Sequence, residues 1–424
     1  MAELVGDLEL AEFDISDAGF AGDAYHERLA AARRLGWLVR SPISYIVLDR
    51  EAGEFFLRAR QTAFPGREIA ELFGITGGRL AEQIDANILN LTGDRHRRLR
   101  ALVAPAFTPR AAARWRPVMQ EIAASLWAEL DGAAACEFVS WFAGPFPART
   151  IAAVIGAPQQ DAAELHRLSS LVQRQFDIRA LAAEPDRIEQ AVCDLYDYVD
   201  ALLEQRRRQP ADDLISTLLR AEAEGERLSG PECVNLVLNV LAGGVDTTAA
   251  QLAHAFRLFA RHPGQWQALR ERPELVQRAV DEVLRFEPIT PFTARICTEQ
   301  LEHRGVIFPA GTIVAVCAER ANREAGAGEV FDITAEPASA GREDAPLSSL
   351  RPAAGPDGPR DRVLTFGAGA HFCLGQNLAR AELEEAIGFL APRLPDLRLA
   401  GIDELGGVEG IYGIESLPLA WAAS

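Results

Sequence analysis

Residues 366–375 read Phe-Gly-Ala-Gly-Ala-His-Phe-Cys-Leu-Gly. Cys373 sits among glycines, with His371 two places before it and a helical pattern after it, from Leu374 through Asn377, Arg380 and Glu384. The thiolate form of a cysteine is the metal ligand, so a ligating Cys373 needs surroundings that favour the anion. A helix starting behind it would supply unpaired N–H groups and the positive end of a dipole. Gly367 and Gly369 let the backbone turn tightly and approach a flat ligand closely. Gly375 keeps the first helical turn thin enough to lie against a ring. His371 is a candidate donor to an acidic group on that ligand, and Phe366 a candidate shield for the sulfur. The competing reading is a buried structural cysteine, the usual fate of a lone one.

The ten residues match without a gap, and far more specifically than a CxxC or GxGxxG would. The stretch resembles the haem-binding loop of the cytochrome P-450 superfamily, FGxGxHxCxG. That resemblance implies a mostly α fold with small β-sheets. It also implies a haem b held between a long central helix and the cysteine-loop helix, with Cys373 as axial ligand of the iron. Phe366, Gly367, His371 and Gly375 then belong to the cofactor cradle, His371 on a propionate.

The 424 residues are 48% hydrophobic and 25% charged, an ordinary globular composition. Length alone suggests roughly two to three domains at ~150 residues each. The resemblance implies one domain over 1–424, with an N-terminal extension over 1–20 and a mobile loop over 325–362. A net charge of −18 and a pI near 5.0 argue against nucleic-acid or anionic-membrane partners. Cysteines 136, 193, 233, 297, 317 and 373 lack CxxC or CxxH spacing. That fits reduced thiols, with neither a disulfide framework nor a zinc site. No run reaches the ~18 apolar residues that span a bilayer, and MAELVGDLELAEFD has no signal-peptide core. The expectation is a monomeric, cytoplasmic protein of the soluble bacterial type, with no membrane span.

Working outward, Tyr25–Leu35 reads as a short amphipathic helix, and Trp37–Arg40 with Tyr45–Leu48 as two strands around a turn. Residues 66–93 show no firm period. Asp94–Val103, DRHRRLRALV, places His96 and Arg100 on one helix face. Read from the residues alone, this is a solvated basic helix. The superfamily has an HxxxR pair here on the haem propionates, which need cationic donors. Helical patterns run over 111–130 and 160–208. Asp212-Asp213-Leu214-Ile215 opens another helix and resembles the superfamily's DDLL run.

Ser229-Gly-Pro-Glu232 is a capping-box pattern opening a long apolar helix. Inside it lies Gly243-Gly244-Val245-Asp246-Thr247-Thr248. Glycine and threonine are poor helix formers, and a buried acid beside them is costly. From the residues, this is either a packing notch or a functional opening of the helix. The superfamily pattern [AG]GxDTT matches it residue for residue. The resemblance implies that Gly243 approaches the haem face, that Thr247 meets bound dioxygen and that Asp246 passes protons inward. Leu241 and Ala242 are candidate pocket residues on the same helix.

Glu282 and Arg285 form an ExxR pair three apart, hence on one helix face. Alone it reads as a surface ion pair. The resemblance makes it the buried pair behind the cysteine loop, and makes Arg295 a further propionate donor. Ile289 and Phe292 are candidate pocket residues in the extended stretch after Pro288. Over 325–362 the chain departs from the superfamily, because no arginine adjoins Val330-Phe331-Asp332 to complete a triad with ExxR. Arg342, Arg351 and Arg360 remain open alternatives. Gly406–Leu417 resembles the C-terminal hairpin whose tip enters the pocket, with Ile411 and, more weakly, Tyr412 as candidates.

The activity so implied is a haem-thiolate monooxygenase. It inserts one oxygen atom of O2 into a hydrophobic small molecule, by hydroxylation or epoxidation. No fused reductase pattern is seen, so NAD(P)H electrons are expected through a separate ferredoxin or flavodoxin with its reductase. The arginines at 95, 97, 98, 100, 110, 114 and 116 form a candidate docking patch for an acidic partner. Their alternative is pairing with neighbouring carboxylates. Rival functions are a peroxide-using or rearranging member of the same superfamily, and a non-catalytic haem sensor or docking module.

Overall fold

A computed structural model describes residues 2–15, 17, 19–130, 132–223, 228–324, 328–335 and 363–422. Helices dominate, and small sheets sit to one side of them. The largest sheet has five strands, in the order Leu38–Arg40, Tyr45–Val47, Ile313–Cys317, Phe292–Cys297, Thr62–Ala63. Tyr45–Val47 runs parallel to Ile313–Cys317, and the other pairings are antiparallel. Glu3–Leu4 adds a parallel strand to Val306–Phe308, and Val5, Phe13 and Phe20 are buried. These N-terminal residues therefore pack into the fold.

The central apolar helix starts where the capping pattern puts it. Ser229 Oγ accepts from the Glu232 N–H, and the Glu232 carboxylate accepts from the Ser229 N–H. Two helices follow in line, Gly230–Gly244 and Asp246–Arg261, meeting at Val245 with φ −94° and ψ −68°. The run is long and apolar enough to cross a membrane. Yet 67% of its most apolar window is buried inside the protein, as expected of a core helix. The run over 160–208 is not one helix. It divides into Ala162–Gln173, Ile178–Ala183 and Pro185–Arg208. Asp177 caps the second by accepting from the Arg179 and Ala180 N–H groups, and Pro185 opens the third. Residues 66–93, aperiodic in sequence, hold the short helices Gly66–Leu72 and Gly78–Ala86.

Glu282 and Arg285, on the helix Val276–Phe286, are buried and pair bidentately at 2.7 and 2.8 Å. The other guanidinium N–H groups donate to Gly328 O and Val330 O, each at 2.8 Å, and Glu282 accepts from the Asp332 N–H. Backbone groups of 328–332 thus satisfy the pair where a third side chain was expected. Arg342, Arg351 and Arg360, and the loop reading over 336–362, lie outside the described residues.

A second buried charge cluster ties the first helix, Gly22–Leu35, to the core. His26 lies 2.9 Å from Glu287 and 2.8 Å from Glu319. Glu319 also pairs with Arg320 and Arg323, both on the short helix Ala318–Arg323. Burial pulls the His26 pKa down, but the Glu287 and Glu319 carboxylates outweigh it and raise it to about 9. The unfolded value is near ~6.5. A raised folded pKa stabilises fully below the unfolded value, and the gain is lost as pH rises through the folded one. Protonated His26 should therefore contribute about 1–3 kcal/mol at pH 6, fading between pH ~6.5 and 9. Urea unfolding of the parent should show that fall in midpoint, and His26→Gln should flatten it. An equal slope in both proteins would refute the assignment.

Candidate active site

The cysteine loop closes on itself through a hydrogen bond from the Cys373 N–H to Phe366 O at 2.8 Å. Gly367 and Gly369 hold φ of +69° and +73°, where a Cβ is strained. A side chain at Gly369 would also come within 2.7 Å of Leu57 O. The helix Gln376–Leu390 follows, and the Gly375 and Gln376 N–H groups point at the sulfur. Cys373 is only half-buried because it opens onto an internal cavity of about 620 Å³. Burial away from bulk solvent pushes its thiol up, and the two N–H groups with Arg100 pull back only partly. The helix start alone therefore does not favour the thiolate, as the sequence suggested it would. A bound metal cation would deprotonate a coordinating thiol outright.

The rest of the lining fits a flat, doubly acidic ligand such as haem. His96, Arg100, Arg295 and His371 all border the cavity. Arg295 is 2% exposed, and its one side-chain bond runs to Ala294 O at 2.8 Å. Burial depresses it to about 10. His96 is buried with Nε2 unpartnered, and its ring centroid is 4.3 Å from that of His371. Burial, then the charges of His96, Arg295 and Arg100, drive His371 down to about 3. Arg100 donates to Phe372 O. Among the described residues no carboxylate pairs with any of these four groups. Two propionates would supply that missing charge, and these residues could hold them. At Gly243 and Gly375 an added Cβ would meet nothing within 4 Å. Both border the cavity, so both leave room for a ring. Gly244 has a different job, since a Cβ there would lie 2.7 Å from Ile151 Cδ1. It lets two helices pack.

Thr247 borders the cavity and donates to Gly243 O at 2.7 Å. Asp246 points away from the cavity towards the helix Ala162–Gln173. Its Oδ1 accepts from Ser170 Oγ at 2.5 Å and lies 3.6 Å from His166 Nε2. Its Oδ2 is buried without a partner. Thr248 donates to Glu382 Oε2 at 3.3 Å. Glu382 is 1% exposed, and burial pushes its carboxyl well above the usual carboxylate range. Sequence reasoning missed Ser170, His166 and Glu382. Only Glu382 left a signal, as an acid in the apolar row Leu378, Glu382, Ala386.

Ala242, Ile289, Phe292 and Ile411 line the cavity as expected. Leu241 does not. It lies ~100° round the helix from the cavity-lining Val240 and is buried in the core. Tyr412 is likewise a core residue, its hydroxyl accepting from the Gly22 N–H at 2.7 Å. The arginine segment is not a bare positive patch. Arg97 pairs with Asp94, Arg98 with Glu232, Arg114 with Asp212, and Arg116 with Glu384 and Glu385.

The cytochrome P-450 family model matches residues 169–327. The chain is 34% identical over 420 residues to luteothin monooxygenase of Streptomyces thioluteus, covering 98% of this chain and 97% of that protein. It is 33% identical to mycinamicin IV hydroxylase/epoxidase of Micromonospora griseorubida, covering 80% and 81%. The fold is similar to the crystal structure of CalO2, with a TM-score of 0.85, 28% identity, and 98% and 100% of the two chains covered. With the cysteine loop, the opened central helix and relatives of this extent, the chain belongs to the cytochrome P-450 family and is a monooxygenase that uses haem iron and dioxygen.

Proposed function

We propose that this chain inserts one atom of dioxygen into a C–H or C=C bond of a largely apolar small molecule. The observation that carries the reading is the pair of arginines Arg295, buried, and Arg100, half-buried, which no carboxylate among the described residues balances, with the imidazoles of His96 and His371 beside them on a cavity that Cys373 also borders. On this reading Cys373 would ligate the iron, Arg100 and Arg295 with His96 and His371 would bind the propionates, and Gly243 and Gly375 would face the ring. Bound there, a thiolate-ligated haem supplies oxygen activation, with thiolate donation favouring O–O cleavage. The chain's own part is orientation and proton control. Thr247 holds its hydroxyl proton on Gly243 O and can turn it into the cavity. Asp246 stands behind Thr247, between the partly exposed His166 and the cavity, placed to relay solvent protons. Glu382, whose hold on a proton burial strengthens, lies beside Thr248. Glu282 and Arg285 hold the core behind the loop.

The apolar lining residues Ile289, Phe292, Ile411, Leu181 and Val240 support an apolar substrate. Kinship with bacterial enzymes supports NAD(P)H electrons delivered by a separate ferredoxin or flavodoxin and its reductase. It also supports a monomeric, cytoplasmic protein.

The reduced carbon-monoxide complex should show the absorption band of a thiolate haem, and Cys373→Ser should abolish it. Each other cysteine should be replaceable with the band intact. A band surviving in Cys373→Ser would remove the ligand assignment.

Thr247→Ala should retain haem and substrate binding yet divert reducing equivalents to hydrogen peroxide. Asp246→Asn should slow turnover ~10²-fold, the low end for a lost proton transfer. Peroxide yield per NAD(P)H consumed is the measurement, and unchanged coupling in Thr247→Ala would favour a peroxide-using enzyme.

A further inference from the structure

The cavity reaches the protein surface where its lining residues are themselves exposed, Ile43 and Arg179 among them. One segment forms the roof there. The helix Ala162–Gln173 runs on into the tighter turn Arg174–Phe176, and the short helix Ile178–Ala183 follows. Phe176, Ile178, Arg179 and Leu181 of this segment line the cavity. Facing them is the tip of the C-terminal hairpin, Glu409, Gly410 and Ile411.

The hairpin is anchored in the core. The Gly406 N–H donates to Gly413 O at 3.0 Å and the Tyr412 N–H to Ile289 O at 2.7 Å, and Val408 and Tyr412 are buried. The roof ties off its polar groups locally, with Asp177 capping its helix and Arg174 paired to Glu184 at 2.5 Å. Two kinds of contact hold it down over the cavity. One is shape. A Cβ added at Gly410 would lie 3.3 Å from Phe176 O, and Phe176 meets Phe64 edge-on with ring centroids 5.9 Å apart. The other is charge, since Arg179 Nε lies 2.8 Å from Glu409 Oε1. The approach is oblique, so Oε1 makes no hydrogen bond. The Glu409 side chain is 5% exposed and that of Arg179 51%. The other carboxylate near Arg179 is Asp17, which the Gly19 N–H and Arg28 already hold, with Arg179 adding the smallest part.

An ion pair with one partner in solvent contributes little to stability and is weakened by salt. It breaks readily, as suits a contact that opens at each exchange of ligand. We infer that the Arg179–Glu409 ion pair latches the roof to the hairpin and sets how fast a ligand enters and leaves the cavity. The same pair forms over an empty and a filled cavity, so it cancels from the equilibrium affinity. Loss of a direct contact to the ligand acts differently, mainly through faster dissociation. The inference rests on the haem monooxygenase reading and adds control of exchange at its site.

The test is stopped-flow binding of 4-phenylimidazole to the ferric, haem-loaded protein, followed by the Soret shift. Carbon monoxide binding to the ferrous protein is the control, being small enough to pass a closed roof. Glu409→Gln keeps the shape of the tip and removes its charge, and Arg179→Gln does the same from the exposed side. Each should raise the association and dissociation rates of 4-phenylimidazole together, by about two- to fivefold, with Kd and the carbon monoxide rate unchanged. High salt should bring the parent's rates up to those of the variants and leave the variants' rates alone. Unchanged rates in either variant overturn the inference. So does a change confined to dissociation, or a parent indifferent to salt. A carbon monoxide rate that shifts equally would place the effect at the haem and overturns it too. A protein without the thiolate carbon-monoxide band fails the haem reading itself. One with the band but with unaltered 4-phenylimidazole rates fails only this inference.

Discussion

Uncompensated positive charge organises the centre of this protein. Removing an arginine from water without an anion is expensive, and natural structures pair such groups or bind something that does. Elsewhere the chain obeys that rule with its own residues. Glu282 balances Arg285, and Glu319 balances Arg320 and Arg323. Around Cys373 it does not, since Arg295 reaches only a neighbouring carbonyl. The chain has no lysine, so the 43 residues counted as Lys or Arg are all arginines, which stay charged even when buried, and proton loss is not an escape for them. The anion must come from a ligand, and the contrast between balanced and unbalanced clusters marks where it sits.

The opened central helix shows how one short motif serves packing and chemistry together. Gly244 brings Ile151 close and Gly243 faces the cavity. Thr247 spends its hydroxyl on the Gly243 carbonyl, and Asp246 turns outward to Ser170 and His166. Two adjacent residues therefore point different ways, one to the cavity and one to the neighbouring helix Ala162–Gln173. A buried carboxyl, Glu382, stands across from the same turn. The costly arrangement of glycines, threonines and acids lies at the edge of the cavity, as local rule-breaking at functional sites leads one to expect.

Much of this was legible in the chain itself. The cysteine loop, the HxxxR and ExxR spacings, the capping box before the central helix and the GGVDTT turn are local patterns. Local patterns are fixed by sequence spacing, because residues three or four apart share a helix face and glycine alone tolerates φ near +70°. Hence Cys373, His96, Arg100, Gly243 and Thr247 could be named without coordinates.

What only the tertiary structure decided is relations between distant segments. Leu241 and Val240 are equally apolar neighbours, and helix rotation sent one to the core and the other to the cavity. For the arginines of 95–116 the sequence left docking and carboxylate pairing open, and only the fold shows which carboxylates, Glu232, Glu384, Glu385 and Asp212, lie against them. Backbone carbonyls of 328 and 330 took over a task that the sequence led us to seek in a side chain. The direction in which Asn239 or Gln175 turns its amide depends on which carbonyl lies beside it. Sequence determined which chemistry the chain carries, since motif chemistry is local. The fold determined which groups are left unpaired, since pairing depends on through-space neighbours.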